Sequence, residues 1–151
     1  MKGTVERRRF TSALLGAAFL FGVRAAGGQS SETFKARLSP VPIDVTMLPT
    51  VAGSGSLTAV LARNNLIITG TFEGLRSPAT VAKIHRAPKG IRGPAILDLE
   101  VSKETSGTVS GSIELTPAQL DDLRNSRLYV QIDSARAPGG NLWGWLLPAR
   151  S

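Results

Sequence analysis

Leu97-Asp98-Leu99-Glu100-Val101-Ser102-Lys103-Glu104-Thr105-Ser106-Gly107-Thr108-Val109-Ser110-Gly111-Ser112-Ile113-Glu114-Leu115 is the stretch that decides the fold. Leu97, Leu99 and Val101 alternate with Asp98 and Glu100. After the polar turn Lys103 to Gly107, Val109, Gly111, Ile113 and Leu115 alternate with Ser110, Ser112 and Glu114. A period of two belongs to a half-buried strand, because successive side chains point to opposite faces of a sheet.

The same period runs outward from there. Phe34, Ala36 and Leu38 alternate with Lys35 and Arg37, and Leu57, Ala59 and Leu61 alternate with Thr58 and Val60. Asn64-Asn65 supplies a turn, since asparagine tolerates positive φ, and Leu66, Ile68, Gly70 and Phe72 return as the second arm of a hairpin. Val81 to His85 is a short strand after Pro78. Leu128, Val130 and Ile132 alternate with Tyr129, Gln131 and Asp133, and Leu142 to Leu147 is the last strand. Gly53-Ser54-Gly55-Ser56 reads as a flexible turn. One helix interrupts the pattern near residues 116–124: Thr116-Pro117-Ala118-Gln119 is a capping box with proline at the first helical position. Its Leu120 and Leu123 face inward and Asp121 and Asp122 face water. About 7–8 short strands with Gly- and Pro-rich turns make an all-β sandwich or barrel, with no internal repeat.

The N-terminus is of another kind. Glu6-Arg7-Arg8-Arg9-Phe10 has two arginines, a spacer and a phenylalanine, the pattern of a twin-arginine export signal. The apolar run Ala13 to Val23 spans about 16 Å as a helix, too short for a bilayer core of about 30 Å. Charge, a short apolar run and then small residues is the order of a cleavable signal. The expected organisation is a signal peptide over 1–26, a flexible linker over 27–32 and a β domain over 33–148. The destination is the periplasm or the exterior, with no stable membrane span after signal removal. The basic segment is shared with Sec signals, so the route stays open.

Composition narrows the function. The net charge of +7 is misleading, because residues 1–26 hold five of the 18 basic side chains and one of the 11 acidic ones. The remaining 13 and 10 leave +3, which lacks the clustered basic face of a nucleic-acid binder. The absence of cysteine removes thiol catalysis, iron–sulfur clusters and cysteine zinc sites together, and it suits folding in a reducing cytoplasm before export.

A series of short motifs from Phe34 to Leu146 resembles the CHRD (chordin-type) domain family. Phe34-Lys35-Ala36-Arg37-Leu38 is similar to the family's Phe-x-Ala-x-Leu opening, and Gly53-Ser54-Gly55 and Phe72-Glu73-Gly74-Leu75 fall at its small-residue turn and Gly-Leu. Ala82-Lys83-Ile84-His85 and Gly90-Ile91-Arg92-Gly93-Pro94 resemble Ala-His-Ile-His and Gly-x-x-Gly-Pro. Leu115-Thr116-Pro117-Ala118-Gln119 resembles Leu-Thr-x-x-Gln. Tyr129-Val130-Gln131-Ile132-Asp133-Ser134 resembles Tyr-Val-Asn-Ile-His-Thr, and Pro138-Gly139-Gly140-Asn141-Leu142-Trp143-Gly144 resembles Pro-Gly-Gly-Glu-Ile-Arg-Gly. The resemblance implies an antiparallel Greek-key β-sandwich in a bacterial exported protein. Where the family tends to have His, His, Glu and Arg, this chain has Lys83, Asp133, Asn141 and Trp143: apolar and glycine positions are kept, and a polar cluster is replaced.

That replacement governs the candidate sites. Copper or zinc needs three or four good ligands, and only His85 and Asp133 remain as candidates, with Lys83 adding positive charge beside them. The simpler reading makes His85 a hydrogen-bonded structural residue, and no cofactor is expected. Lys83 and Asp133 can form a cross-strand ion pair worth roughly 0.2–1 kcal/mol, or stay as two solvated charges. No Gly-x-Ser-x-Gly elbow accompanies the single histidine, so nucleophilic catalysis has no footing. Trp143 and Trp145 share one face of the last strand, with Leu142, Gly144 and Leu146 on the other. Either the tryptophans lie beneath a loop or they form a docking patch for a protein or glycan. Arg86 to Gly93 adds three cations near His85, in a loop read as solvated.

These readings converge on a non-enzymatic binding or structural module, with candidate binding residues Lys83, His85, Asp133, Asn141, Trp143 and Trp145. The alternative is a copper- or zinc-dependent redox enzyme on a sandwich like that of superoxide dismutase. A third reading is an assembly component that pairs through a sheet edge or the tryptophan face.

Overall fold

The structure is a computed structural model that describes residues 30–150. The expected signal peptide and the start of the linker lie outside the described residues. Strands β1 (Ser31–Pro40), β2 (Ser54–Ala62), β3 (Asn65–Glu73), β4 (Ala79–Arg86), β5 (Ala95–Val101) and β6 (Gly107–Glu114) precede helix α1 (Pro117–Arg124). Strands β7 (Leu128–Ser134), β8 (Ala137–Trp145) and the two-residue β9 (Leu147–Pro148) follow it. β1 starts at Ser31, inside the stretch read as linker, because Ser31 and Glu32 already pair with Ala62 and Leu61.

Every pairing is antiparallel, and the ladder runs β2-β3-β6-β5-β4-β7-β8-β1-β9. β1 also pairs with β2, so the sheet returns on itself and is barrel-like, where the resemblance implied a sandwich of two sheets. Two strands make the closure by changing partner part-way. β1 runs along β2 from Ser31 to Leu38, then pairs Ser39 and Pro40 with Trp143 and Leu142 of β8. β5 lies beside β4 and then pairs Glu100 and Val101 with Ser110 and Val109 of β6. Closure limits the open strand edge that would otherwise template aggregation.

The alternation read from the sequence faces inward as expected. Phe34, Leu38, Leu57, Leu61, Ile68, Ile84, Val130, Ile132 and Leu142 share one core and are almost wholly buried. Burying each such side chain stabilises by about 1.5–3 kcal/mol, which makes this interior the main source of stability. At α1, Gln119 N–H donates to Thr116 Oγ1 at 3.2 Å and Thr116 N–H donates to Gln119 Oε1 at 3.0 Å, completing the capping box.

Three local expectations are corrected. The hairpin turn is Arg63-Asn64, with Ala62 opposite Asn65 and the positive φ of 60° on Arg63 rather than on an asparagine. Ser54 to Ser56 is not a flexible turn but the start of β2, paired to Glu73, Phe72 and Thr71. Asp122 does not face water: it is buried, and its Oδ2 lies 2.8 Å from Arg86 Nε. A helix-surface pattern cannot reveal a partner 36 residues away on another element.

Candidate functional site

The outer face of β4, β7 and β8 gathers most of the candidate residues, and the register shows how. Lys83 pairs with Gln131, which pairs with Trp143; one row along, His85 pairs with Tyr129, which pairs with Trp145. Past the bulge between Ala79 and Val81, odd-numbered positions of β4, β7 and β8 point away from the main core, so each row lays its side chains side by side on one surface.

That surface is a second small core. Tyr129 stacks on His85 with ring centroids 4.9 Å apart, lies 4.4 Å from Trp145 and meets Trp143 edge-on at 5.5 Å. The two indoles are edge-to-face at 4.7 Å. Val41, Val51 and Ala87 pack with them, which leaves Trp143 only 9% and Trp145 only 7% exposed. The tryptophans therefore lie beneath loops, and they do not form the exposed aromatic docking face that the last strand also allowed.

The polar residues of the site fasten those loops. His85 Nδ1 lies 2.9 Å from the Gly93 carbonyl oxygen, and since a carbonyl only accepts, Nδ1 carries the hydrogen. Gly93 N–H donates to Tyr129 Oη at 2.9 Å, and Tyr129 Oη donates back to Gly93 O at 3.3 Å. Trp145 Nε1–H donates to Ala87 O at 3.0 Å. Arg92 Nη1 donates to Gly139 O at 3.1 Å, and its guanidinium carbon lies 5.7 Å from the Trp143 ring centroid. On the other side, Asn141 is fully buried; it donates to Ser134 Oγ at 2.8 Å and accepts from Ala52 N–H at 3.2 Å. The Val41 N–H donates to the Asn141 carbonyl at 3.0 Å, which ties down both ends of the 41–53 loop.

The expected Lys83–Asp133 pair does not form. Lys83 Nζ lies 3.6 Å from Asp98 Oδ1, its cross-strand partner on β5, whereas Asp133 Oδ1 accepts from Gln131 Nε2 at 2.9 Å. Asp133 stands opposite Val81, one pleat repeat from Lys83, so register favours Asp98. His85 and Asp133 are not brought together either. Asp133 is four residues along β7 from the partner of His85, roughly 13 Å at strand rise. Among the described residues, no three His, Cys, Asp or Glu side chains gather as a metal-holding group.

A family model for the CHRD domain matches residues 34–146, nearly the whole described chain. The chain belongs to the CHRD domain family. Of the four positions at which this CHRD domain departs from the family pattern, Lys83, Asp133 and Trp143 lie on the outer face just described, and Asn141 stands beside it on β8. No curated protein and no solved structure matches the chain.

Sequence reasoning missed Gln131 at this site. It is 7% exposed, donates through Nε2 to Asp133, and its Oε1 has no hydrogen-bond partner among the described residues. Its odd position between Tyr129 and Asp133 was the one signal that pointed to it. Burial was not legible, because one strand's alternation does not say which loop covers its second face.

Proposed function

We propose that this CHRD domain is an exported, non-enzymatic module that acts by binding or by structural support. One observation carries the reading: the polar groups at the divergent family positions are taken up by the protein's own atoms. Lys83 engages Asp98, Asp133 engages Gln131, and Asn141 engages Ser134 and the Ala52 N–H. Trp143 is buried. Groups engaged with neighbouring strands or, like Asn141, with a loop are poorly placed to relay protons or bind a reacting atom, since a catalytic base needs a free lone pair within reach of substrate. His85 keeps only Nε2 for other work.

Export rests on the Arg7-Arg8-Arg9-Phe10 signal and the short apolar run after it, with delivery to the periplasm or beyond. We read the closed ladder as a flattened Greek-key sandwich whose two layers meet where β1 and β5 change partners, in the manner of corner strands.

Elemental mass spectrometry on protein purified from the periplasm without chelator tests the non-enzymatic reading. The expected result is no stoichiometric transition metal. About one tightly held copper or zinc per chain, together with redox turnover, would overturn it in favour of the metalloenzyme alternative.

A further inference from the structure

The two loops that cover the tryptophans turn aliphatic side chains toward solvent. Among the described residues six large aliphatic side chains are exposed, and four of them belong to these loops: Ile43, Val45 and Leu48 to residues 41–53 and Ile91 to residues 87–94. Val45 is 76% exposed, Ile91 56% and Leu48 53%. Single exposed aliphatics need no explanation, but a group of them on adjoining loops marks an interaction surface. The loops do adjoin: Arg92 donates to Gly139 O at 3.1 Å, and a Cβ on the next residue, Gly140, would lie 3.3 Å from Val41 Cγ1.

These side chains are held out by the loops' own hydrogen bonds. Met47 and Val51 turn onto the aromatic cluster, while Met47 N–H donates to Asp44 O at 3.1 Å and Thr50 N–H to Met47 O at 3.0 Å. In the other loop Ile91 N–H donates to Pro88 O at 3.0 Å. Preformed turns leave little ordering to be lost on docking. None of the four aliphatics lines either cleft that flanks the loops, of about 260 and 280 Å³. Side chains that stand out, and enclose no space, suit a soft apolar phase that they enter.

Charge sets the kind of surface. Lys89 and Arg92 bracket Ile91; exposed Arg37 shares one flanking cleft with Lys89, and exposed Arg127 lines the other with Arg86. Asp122 neutralises Arg86. The acid of these loops is Asp44, whose carboxylate accepts from Thr46, and Asp133 on β7 is bound to Gln131. Four cations without a carboxylate partner thus surround the aliphatics. A second copy fits poorly, because it would set cations against cations. A protein interface draws on exposed aromatic anchors, and here Tyr129, Trp143 and Trp145 are all buried.

We propose that these loops seat the exported domain on an anionic phospholipid surface, with Val45, Leu48 and Ile91 entering the acyl boundary and Lys89 and Arg92 meeting headgroup phosphates. Apolar burial and attraction to anionic lipid are the two contributions to such an interfacial contact. The proposal rests on the export and binding-module reading and names the partner.

The test is co-sedimentation of the exported protein with phosphatidylcholine vesicles containing about one third phosphatidylglycerol, beside vesicles of phosphatidylcholine alone. Partition should favour the anionic vesicles by about tenfold or more and should fall with added salt. Val45→Ser, Leu48→Ser and Ile91→Ser should each weaken it about tenfold, since each removes an aliphatic side chain from the contact. Lys89→Ala should weaken it about threefold. Ile67→Ser, at an exposed aliphatic on β3 outside the loops, should bind like the parent. All of these positions are exposed, so thermal melts should stay unchanged and separate a lost contact from a lost fold. Equal binding to neutral vesicles, or full retention in the triple serine variant, overturns the proposal. No binding to anionic vesicles also overturns it and leaves the face to a protein partner. A dimer by light scattering that the triple variant abolishes overturns it in favour of a second copy. Vesicle binding by a protein that its cells keep in the cytoplasm supports the lipid contact and overturns export, so the two failures are distinguishable.

Discussion

The Trp145 indole N–H donates to the Ala87 carbonyl at 3.0 Å, joining the last long strand to the loop that follows β4 across 58 residues of sequence. This one bond explains why a tryptophan on the outer face of a sheet is buried. The ring supplies apolar area to Tyr129 and Trp143, and its single donor finds a carbonyl that water no longer reaches.

Trp145→Phe keeps an aromatic ring but leaves the Ala87 carbonyl without its donor. An unsatisfied buried acceptor costs about 1–3 kcal/mol. Denaturant unfolding should show a loss of that size, and hydrogen exchange should speed up across residues 87–94. An unchanged midpoint with unchanged exchange would mean that packing alone holds the loop.

Two ion pairs separate burial from mere proximity. Arg86–Asp122 and Arg124–Glu32 have nearly equal lengths, 2.8 and 2.7 Å, but the Asp122 side chain is 8% exposed and Glu32 is 48% exposed. Asp122→Ala takes the partner from Arg86 and opens a gap at the helix; it should cost about 1.5–3 kcal/mol, the range for a hydrogen bond to a charged group. Glu32→Ala should cost under about 1 kcal/mol, because water screens an exposed pair. Equal losses in chemical denaturation would refute the argument.

The sequence made the inner face legible and left the outer one dark, for a physical reason. Alternation reports one buried face, so the pattern of Leu128, Val130 and Ile132 is enough by itself to place them in the core. Tyr129, Trp143 and Trp145 alternate just as regularly, but their burial depends on aperiodic loops that carry no such signal. The capping box at Thr116 and Gln119 was legible because both partners lie within one turn. Lys83 shows the opposite case. Asp98 and Asp133 both sit on outward positions of neighbouring strands, and only the register decides between them.

The loop over the tryptophans carries its own pH dependence. Asp44 Oδ1 accepts from Thr46 Oγ1 at 2.6 Å and from Thr46 N–H at 2.9 Å, and these bonds hold its carboxyl below the ordinary 3.8. The turn continues through Met47 N–H to Asp44 O and Val51 N–H to Met47 O, which delivers Val51 to the aromatic cluster. A carboxyl whose pKa is depressed on folding stabilises the fold fully above its unfolded value, and that contribution is lost as pH falls through the folded value. Acidification below 3.8 should therefore loosen the 41–53 loop and shift tryptophan emission to the red before global unfolding. In Asp44→Ala the shift should already be present at neutral pH, and this acid step should be missing. Identical acid titrations for the two proteins would show that Asp44 does not hold the lid, and that Val41 anchored on Asn141 keeps the tryptophans dry by itself.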